Sequence, residues 1–456
     1  GLLYLEELNA DGNELTTLDG LPAAPSLQAL HLARNAITDI SPLEALPNLL
    51  WLDLSENTLP DLTPVAALTG LEELVLRKCG VSSLTALSGL TALVALDVSQ
   101  NVLTTLDELP SAAALLRVEA RENTITDIGA LTGALSLEYL DLSKNQIADI
   151  TPLTGLTGLT RLYLTQNRIK QIGALSGMSS LFELTLAFNQ VDDISPLPPT
   201  ATLYLLDLRG CAFSDVQALA PLLGLEYLNA GANRVTDISP LAPLVFLREL
   251  YLDSNSITNI DALSGMVQLE RLDLSSNRVA EVDALAPLIQ LRYLNITASY
   301  FFGGTISDIA PLAGLTKLTH LYLSDQEIAD VTALSGLTAL THLYLSYNQI
   351  TDLSPLAGLN DLSTVALAQN QINEVSALVS NPGIGAGDVL YLRGNPLSQN
   401  ALCNDIPLLA ARVQVLTFDG ECLGGRGAVV RPDRIIPSYA AFLTNNIKRS
   451  GALAGS

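Results

Sequence analysis

Residues 27–48 read LQALHLARNAITDISPLEALPN. Leu27, Leu30, Leu32, Ile37, Ile40, Leu43 and Leu46 are the apolar positions of this stretch, and Asn35 closes its LHL segment. The same frame recurs every 22 residues over most of the chain. Asparagine marks it at Asn13, Asn35, Asn57, Asn101, Asn123, Asn145, Asn167, Asn189, Asn233, Asn255, Asn277, Asn348, Asn370 and Asn395, with Cys79, Cys211 and Ser299 in the same register. One such unit cannot bury its own apolar face, so neighbours must stack and share a continuous core.

The short LHL segment alternates in and out as a strand does. In the following SPL, Ser41 is expected to N-cap a helical turn and Pro42 to occupy its first position, so the return leg opens with a 3₁₀ turn. Each Asn amide carries two donors and an acceptor, enough to satisfy backbone groups of the turn that leaves the strand. An acid recurs just before the helical turn, at Asp39, Asp61, Asp127, Asp149, Asp193, Asp215, Asp237, Glu281, Asp308, Asp330, Asp352 and Glu374. These carboxylates are expected to cap backbone N–H groups of the turn. Bridging by calcium is the alternative.

The pattern LxxLxLxxNxIxDIxPLxxLxx resembles the 22-residue class of leucine-rich repeats found in bacterial internalins and in phosphatase-regulating repeat proteins of eukaryotes. Its DISPL, DITPL and DIAPL variants lean to the internalin-like side. The resemblance implies an α/β solenoid of about 18 coils, with a parallel concave sheet and a convex side of short 3₁₀ and irregular segments. LRGNPLSQNALCNDIPLLAARVQVLTFDGEC, from Leu392, resembles the C-terminal closing module of bacterial repeat proteins. Three segments follow: a solenoid over 1–397, a closing module over 398–422 and a linker or tail over 423–456. Membership of this family implies binding and leaves the partner open.

Composition agrees with a thin, Leu-rich core: of 456 residues, 48% are hydrophobic and only 5% aromatic. The net charge of -24 argues against recognition of nucleic acid, which needs Lys and Arg to neutralise phosphates. Glycine-rich phosphate loops, HExxH and nucleophile elbows are missing from the sequence, so it is not expected to be an enzyme or to need a cofactor. No 20-residue apolar run or leader is visible, so membrane insertion is not expected. The start inside an apolar repeat suggests processing, truncation or a covering chain.

Cys79 and Cys211 hold ladder positions six coils apart, roughly 29 Å at strand spacing, and cannot be bridged. Cys403 and Cys422 lie in the closing module and could staple it, with two free thiols as the alternative. A disulfide there would imply an oxidising compartment. The tail after Cys422 leaves the register and carries Arg426, Arg431, Arg434, Lys448 and Arg449.

In LxxLxLxxN the Leu and Asn positions point inward, so the third and fifth residues should project from the concave sheet. Those positions hold Trp51, Tyr139, Arg161, Tyr163, Tyr227, Tyr251, Arg271, Tyr293, His320, Tyr322, His342 and Tyr344, with Arg117, Glu183 and Glu249 among them and Tyr347 close by. Tyr, Trp and Arg anchor interfaces because they bury large area with few rotors and keep a polar tip. His320 and His342 should lie about 5 Å apart on adjacent coils, too few ligands for a metal but suited to a pH-sensitive contact. One coil, Leu291 to Leu318, is 27 residues long, and its extra residues place Tyr300, Phe301 and Phe302 beside the concave rim.

The expected function is therefore non-catalytic recognition of a protein, or alternatively a glycan, on the concave face of a secreted or surface-attached molecule. Self-association end to end or through the tail is the structural alternative. An intracellular scaffold of the phosphatase-regulating type is a weaker one.

Overall fold

The structure is a computed structural model that describes residues 4–21, 24–109, 113–298 and 305–423. Ser299, Tyr300, Phe301, Phe302 and the tail beyond 423 lie outside the described residues. The chain divides into two compact units, Gly1–Arg278 and Val279–Ser456.

In the first unit, thirteen three-residue strands run from Glu7–Asn9 to Arg271–Asp273. Successive strands within this unit pair in parallel, as in Leu162↔Leu184 and Leu250↔Leu272. The second unit holds strands Tyr293–Asn295, His320–Tyr322, His342–Tyr344, Thr364–Ala366, Val389–Tyr391 and Val415–Thr417, paired in the same way. The long coil keeps register, with Tyr293 opposite His320. The repeat leucines form the core: Leu30, Leu52, Leu74, Leu228 and Leu321 are fully buried. Each such burial stabilises by about 1.5–3 kcal/mol.

The asparagine ladder is a hydrogen-bonded turn repeated coil by coil. Asn145 Nδ2 donates to Ala120 O at 2.9 Å and Leu142 O at 3.0 Å, while its Oδ1 accepts the Ile125 N–H at 3.0 Å. The amide therefore ties its own turn to the preceding coil. Gln326 fills the position in the coil after the long one, donating to Ile296 O at 2.7 Å and accepting from Ile306 N at 2.9 Å. Cys79 substitutes with a weaker Sγ donor, 3.1 Å from Leu54 O, and burial pushes its thiol up to about 11. Asn233 is the exception, because its buried Oδ1 has no partner.

The residue before the ladder position adopts left-handed backbone. Arg34, Glu56, Lys78, Glu122, Lys144, Phe188 and Tyr347 have φ between 55° and 59°. Non-glycine residues reach this region at a cost, and here the ladder bonds on either side hold it.

The 3₁₀ turns form as the SPL signature requires, for example Ser41–Ala45 with its Pro at the start. The cap expected at Ser41 is corrected. Ser41 is the first residue of the turn and makes no side-chain cap bond; Asp39 Oδ1 instead accepts the Ser41 N–H at 2.8 Å. The carboxylate two residues upstream reaches the exposed donor, as it does at Asp61, Asp149, Asp193, Asp237, Asp308, Asp330 and Asp352, each at 2.8 Å. Backbone donation from Ser41 accordingly holds the Asp39 carboxyl below its ordinary range. Glu374 does a different job: it accepts Ser398 Oγ at 2.7 Å and Asn400 Nδ2 at 3.1 Å.

A helix follows, Ala401–Asp405 with π hydrogen bonding continuing into α-helical Ile406–Ala410, and then the strand Val415–Thr417. A disulfide joins Cys403 to Cys422, whose Cα atoms are 5.0 Å apart. Cys79 and Cys211 are free thiols. Arg412 extends back to the carbonyls of Val379 and Asn381 at 2.7 and 2.9 Å.

Candidate functional site

Counting the first Leu of LxxLxLxxN as position 1, positions 3 and 5 flank the central Leu or Val of each strand, which is buried in most of them, and are mostly partly exposed. A share of position 5 serves the fold. Asp53, Asp97, Asp141, Asp207 and Asp273 each accept the N–H two residues on, at 2.8 to 3.0 Å. The recurrent LDLS is thus a capped turn rather than a row of ligands.

In the first unit, rings and charges interlock. His31 lies 4.0 Å from Trp51 between ring centroids, and its Nε2 is 3.2 Å from Glu7. Arg117 lies over the Tyr139 ring at 4.8 Å and its Nε reaches Glu119 at 2.8 Å. Tyr139 and Tyr163 are tilted at 5.5 Å, and the Tyr163 hydroxyl donates to Glu183, which also holds Arg161 Nε at 3.2 Å. Tyr227 and Tyr251 repeat the tilt at 5.5 Å. The Tyr251 hydroxyl donates to Glu249 Oε2 at 2.6 Å and accepts from Arg271 Nε at 3.1 Å. Burial pushes the phenols of Tyr139 and Tyr251 up to about 12. The arginines expected to face a partner therefore satisfy acids of their own chain.

In the second unit the rings stack on one another. His320 and His342 are 4.3 Å apart with planes 8° from parallel, and Tyr322 and Tyr344 are 4.6 Å apart at 10°. Tyr293 meets His320 at 6.2 Å and Tyr322 at 5.3 Å. Thr319 and Thr341 each place Oγ1 2.9 Å from the Nδ1 of the following histidine. Burial lowers the pKa of His342. Tyr347 stands apart from the sheet, in the left-handed turn after the strand, and is 48% exposed.

Two arrangements escaped the sequence reading. Phe182 and Tyr204, at position 2 of adjacent coils, stack at 5.1 Å and 7° on the strand edge. Arg209 forms a two-pronged ion pair with Asp253, at 2.5 and 2.8 Å, across the intervening coil. Gly231 lies between them, where a Cβ would fall 2.5 Å from Arg209 Nη1. The signal for the pair was present: Arg, Gly and Asp occupy position 7 of three successive coils.

The model for leucine-rich repeats in two copies matches residues 135–177, 223–265, 245–287 and 338–380, and a single-repeat model matches 23–40. This is a leucine-rich repeat protein. Its fold is internalin-like. The leucine-rich repeat protein superposes on the functional domain of InlJ from Listeria monocytogenes with a TM-score of 0.60 at 21% identity, covering 85% of this chain and 74% of that one. A leucine-rich repeat protein of Leptospira interrogans gives 0.70 at 22% identity, covering 83% and 98%. The Arabidopsis receptor kinase HAESA, solved with the peptide hormone IDA and the co-receptor SERK1, gives 0.67 at 20% identity, covering 91% and 74%. The InlJ domain includes a cysteine ladder; in this repeat protein the ladder is one of asparagines, with Cys79 and Cys211 as free thiols at two of its positions. No curated protein matches the sequence.

Leucine-rich repeat proteins typically mediate protein recognition and are typically non-enzymatic scaffolds. Among the described residues, no helix is long and apolar enough to cross a membrane, and no group of three or more His, Cys, Asp or Glu is arranged to hold a metal ion.

Proposed function

We propose that this leucine-rich repeat protein is a non-catalytic recognition protein, secreted or surface-attached, that holds a protein partner on its concave strands. The repeat array over 1–397 supplies the surface, residues 398–422 close it, and 423–456 act as a linker. The observation that carries this reading is the concentration of contacting aromatic rings at positions 3 and 5, from Tyr139 to Tyr251 in one unit and from Tyr293 to Tyr344 in the other. Such rings bury large area at low entropic cost. The Cys403–Cys422 disulfide supports residence in an oxidising compartment. HAESA, with its bound peptide hormone, is a precedent in fold for such use of the surface.

The test is a pull-down of the native partner with Tyr251→Ala combined with Tyr322→Ala. Loss of capture with an unaltered circular dichroism spectrum is expected. Retained capture would place the interface elsewhere.

A further inference from the structure

Three successive coils of the first unit carry a file of apolar letters at the edge where each coil turns into its strand. Leu223, Val245 and Val267 stand two residues before position 1. The strands that follow pair in register, Tyr227 with Glu249 and Glu249 with Arg271, so the three side chains line up one per coil, about 4.8 Å apart. They are 47%, 38% and 43% exposed, and Phe246 beside Val245 is 60% exposed. In the coils from Leu27 to Leu203 that letter is Pro, Thr, Ser or Ala, Leu135 excepted. A lone exposed Leu is ordinary, whereas a file of apolar side chains marks a contact surface.

Backbone bonding along this edge is complete. The carbonyls of Tyr204, Glu226 and Arg248 each accept two N–H groups from the next coil, at 2.8 to 3.1 Å. The N–H groups of Leu223, Val245 and Val267 donate within tight turns to the carbonyls of Pro221, Pro243 and Gly265, at 2.9 to 3.0 Å. An extended segment laid here would find no ladder to join and would leave its own backbone groups unpaired. A helix brings its backbone bonds with it. Its residues i, i+3 or i+4, and i+7 recur on one face about every 5–6 Å, close to the spacing of the coils.

Charge selects the flank of that helix. Arg248, at position 2 beside the file, is held by Glu226 at 2.9 Å and by Glu270 at 3.0 Å, so an acidic segment would meet carboxylates and an occupied guanidinium. The net charge of -24 repels a second copy and favours a basic partner. Area points the same way. At these exposures the file leaves open on the order of 300 Å², against about 800 Å² per partner in a standard stable interface.

We propose that the file of Leu223, Val245, Phe246 and Val267 is a docking edge for a short amphipathic helix of a partner protein, which lays an aliphatic stripe on the file and directs lysine or arginine toward Glu226. This edge lies off the concave strands and does not depend on the recognition reading given for them.

The probe is a fluorescent, lactam-bridged helical peptide about four turns long, with Leu at i, i+4 and i+7 and Lys on one flank. It is titrated into the full chain at physiological salt and read by anisotropy. Saturable binding is expected, weakened about tenfold or more by Val245→Thr combined with Phe246→Ser. These substitutions bring in the letters that Thr157 and Ser180 already hold at the same positions, so the circular dichroism spectrum should be unaltered. Val267→Thr should weaken binding by a smaller factor, and Leu135→Thr, at the same letter of a distant coil, should leave it unchanged. No saturable binding up to about 1 mM peptide, equal binding by the double variant, or an equal loss in Leu135→Thr overturns the docking edge. Equal binding of a peptide of the same charge with proline at its centre overturns the helix, and tighter binding of a peptide with Glu in place of Lys overturns the basic flank. A wild type that sediments as a dimer beside a monomeric double variant would give the edge to a second copy and overturn the proposal as well.

Discussion

The concave strands of residues 117–273 and of residues 293–344 use the same two positions of one repeat and hold their rings by different means. In the first stretch each ring is fastened by charge: Tyr139 under Arg117, Tyr163 on Glu183, Tyr251 between Glu249 and Arg271. In the second, rings are fastened by rings, with Thr hydroxyls at the imidazoles. The difference teaches that an aromatic at a repeat position does not by itself say what surface it makes. Its neighbours one coil away decide whether it presents a face, an edge or a neutralised ion pair.

The contrast can be broken first at the most buried ring. Tyr344 is only 3% exposed, so Tyr344→Ala should cost about 3 kcal/mol by loss of packing, read by urea denaturation. Tyr139→Ala should cost less than half as much. Equal losses would abolish the distinction between stacked and charge-fastened rings.

Next comes Tyr251→Phe, which deletes the hydroxyl shared by Glu249 and Arg271. Both charged partners are well exposed, so the loss should be about 1 kcal/mol at low salt and should shrink as salt is added. A loss independent of ionic strength would mean that charge is not what holds the ring.

The third test uses acid, and the two stretches should answer with opposite sign. His342 is lowered from 6.5 by burial. The unfolded chain therefore takes up its proton first, and the stability that His342 contributes above that value is lost as pH falls through the folded pKa. Asp207 is raised by burial from 3.8 to about 6. Its folded form takes the proton first, so stability is gained as pH falls from about 6 toward 3.8. Denaturation between pH 7 and 4 should show His342→Gln flattening a decline and Asp207→Asn flattening a rise. The same slope in both variants would contradict these environments. Asn229 already does the turn-capping work of Asp207 in the next coil, accepting the Gly231 N–H at 3.1 Å, so Asp207→Asn should also be the more stable chain at pH 7.

Much of this was legible in the sequence, because a fixed period converts letters into directions. The strand positions, the Leu core, the 3₁₀ turns and the role of the Asn amide all follow from the frame of residues 27–48. The pairing of His320 with His342 follows from two letters at one position of adjacent coils. Other features were hidden because they depend on geometry the letters do not encode. Gln326 was passed over as a ladder residue, although its longer amide makes the same bonds. Ser41 was read as a second cap beside Asp39, and only the expected Asp39 carboxylate, two residues upstream, has the reach. The left-handed turn was invisible because it accepts Arg, Glu, Lys, Phe and Tyr alike. That Arg161 and Arg271 answer acids of their own chain could be seen only once side chains were placed.

The bridge from Arg209 to Asp253 alters how this solenoid should come apart. A repeat array behaves to a first approximation as a line of nearest-neighbour couplings, and each coil is free to open once one neighbour has opened. An ion pair that clears Gly231 joins coils two steps apart, so the middle coil cannot swing out while the pair is closed. Backbone amides of residues 203–255 should therefore exchange with solvent as one block, and Gly231→Ala, which puts a methyl into the path of the pair, should split that block into separate steps.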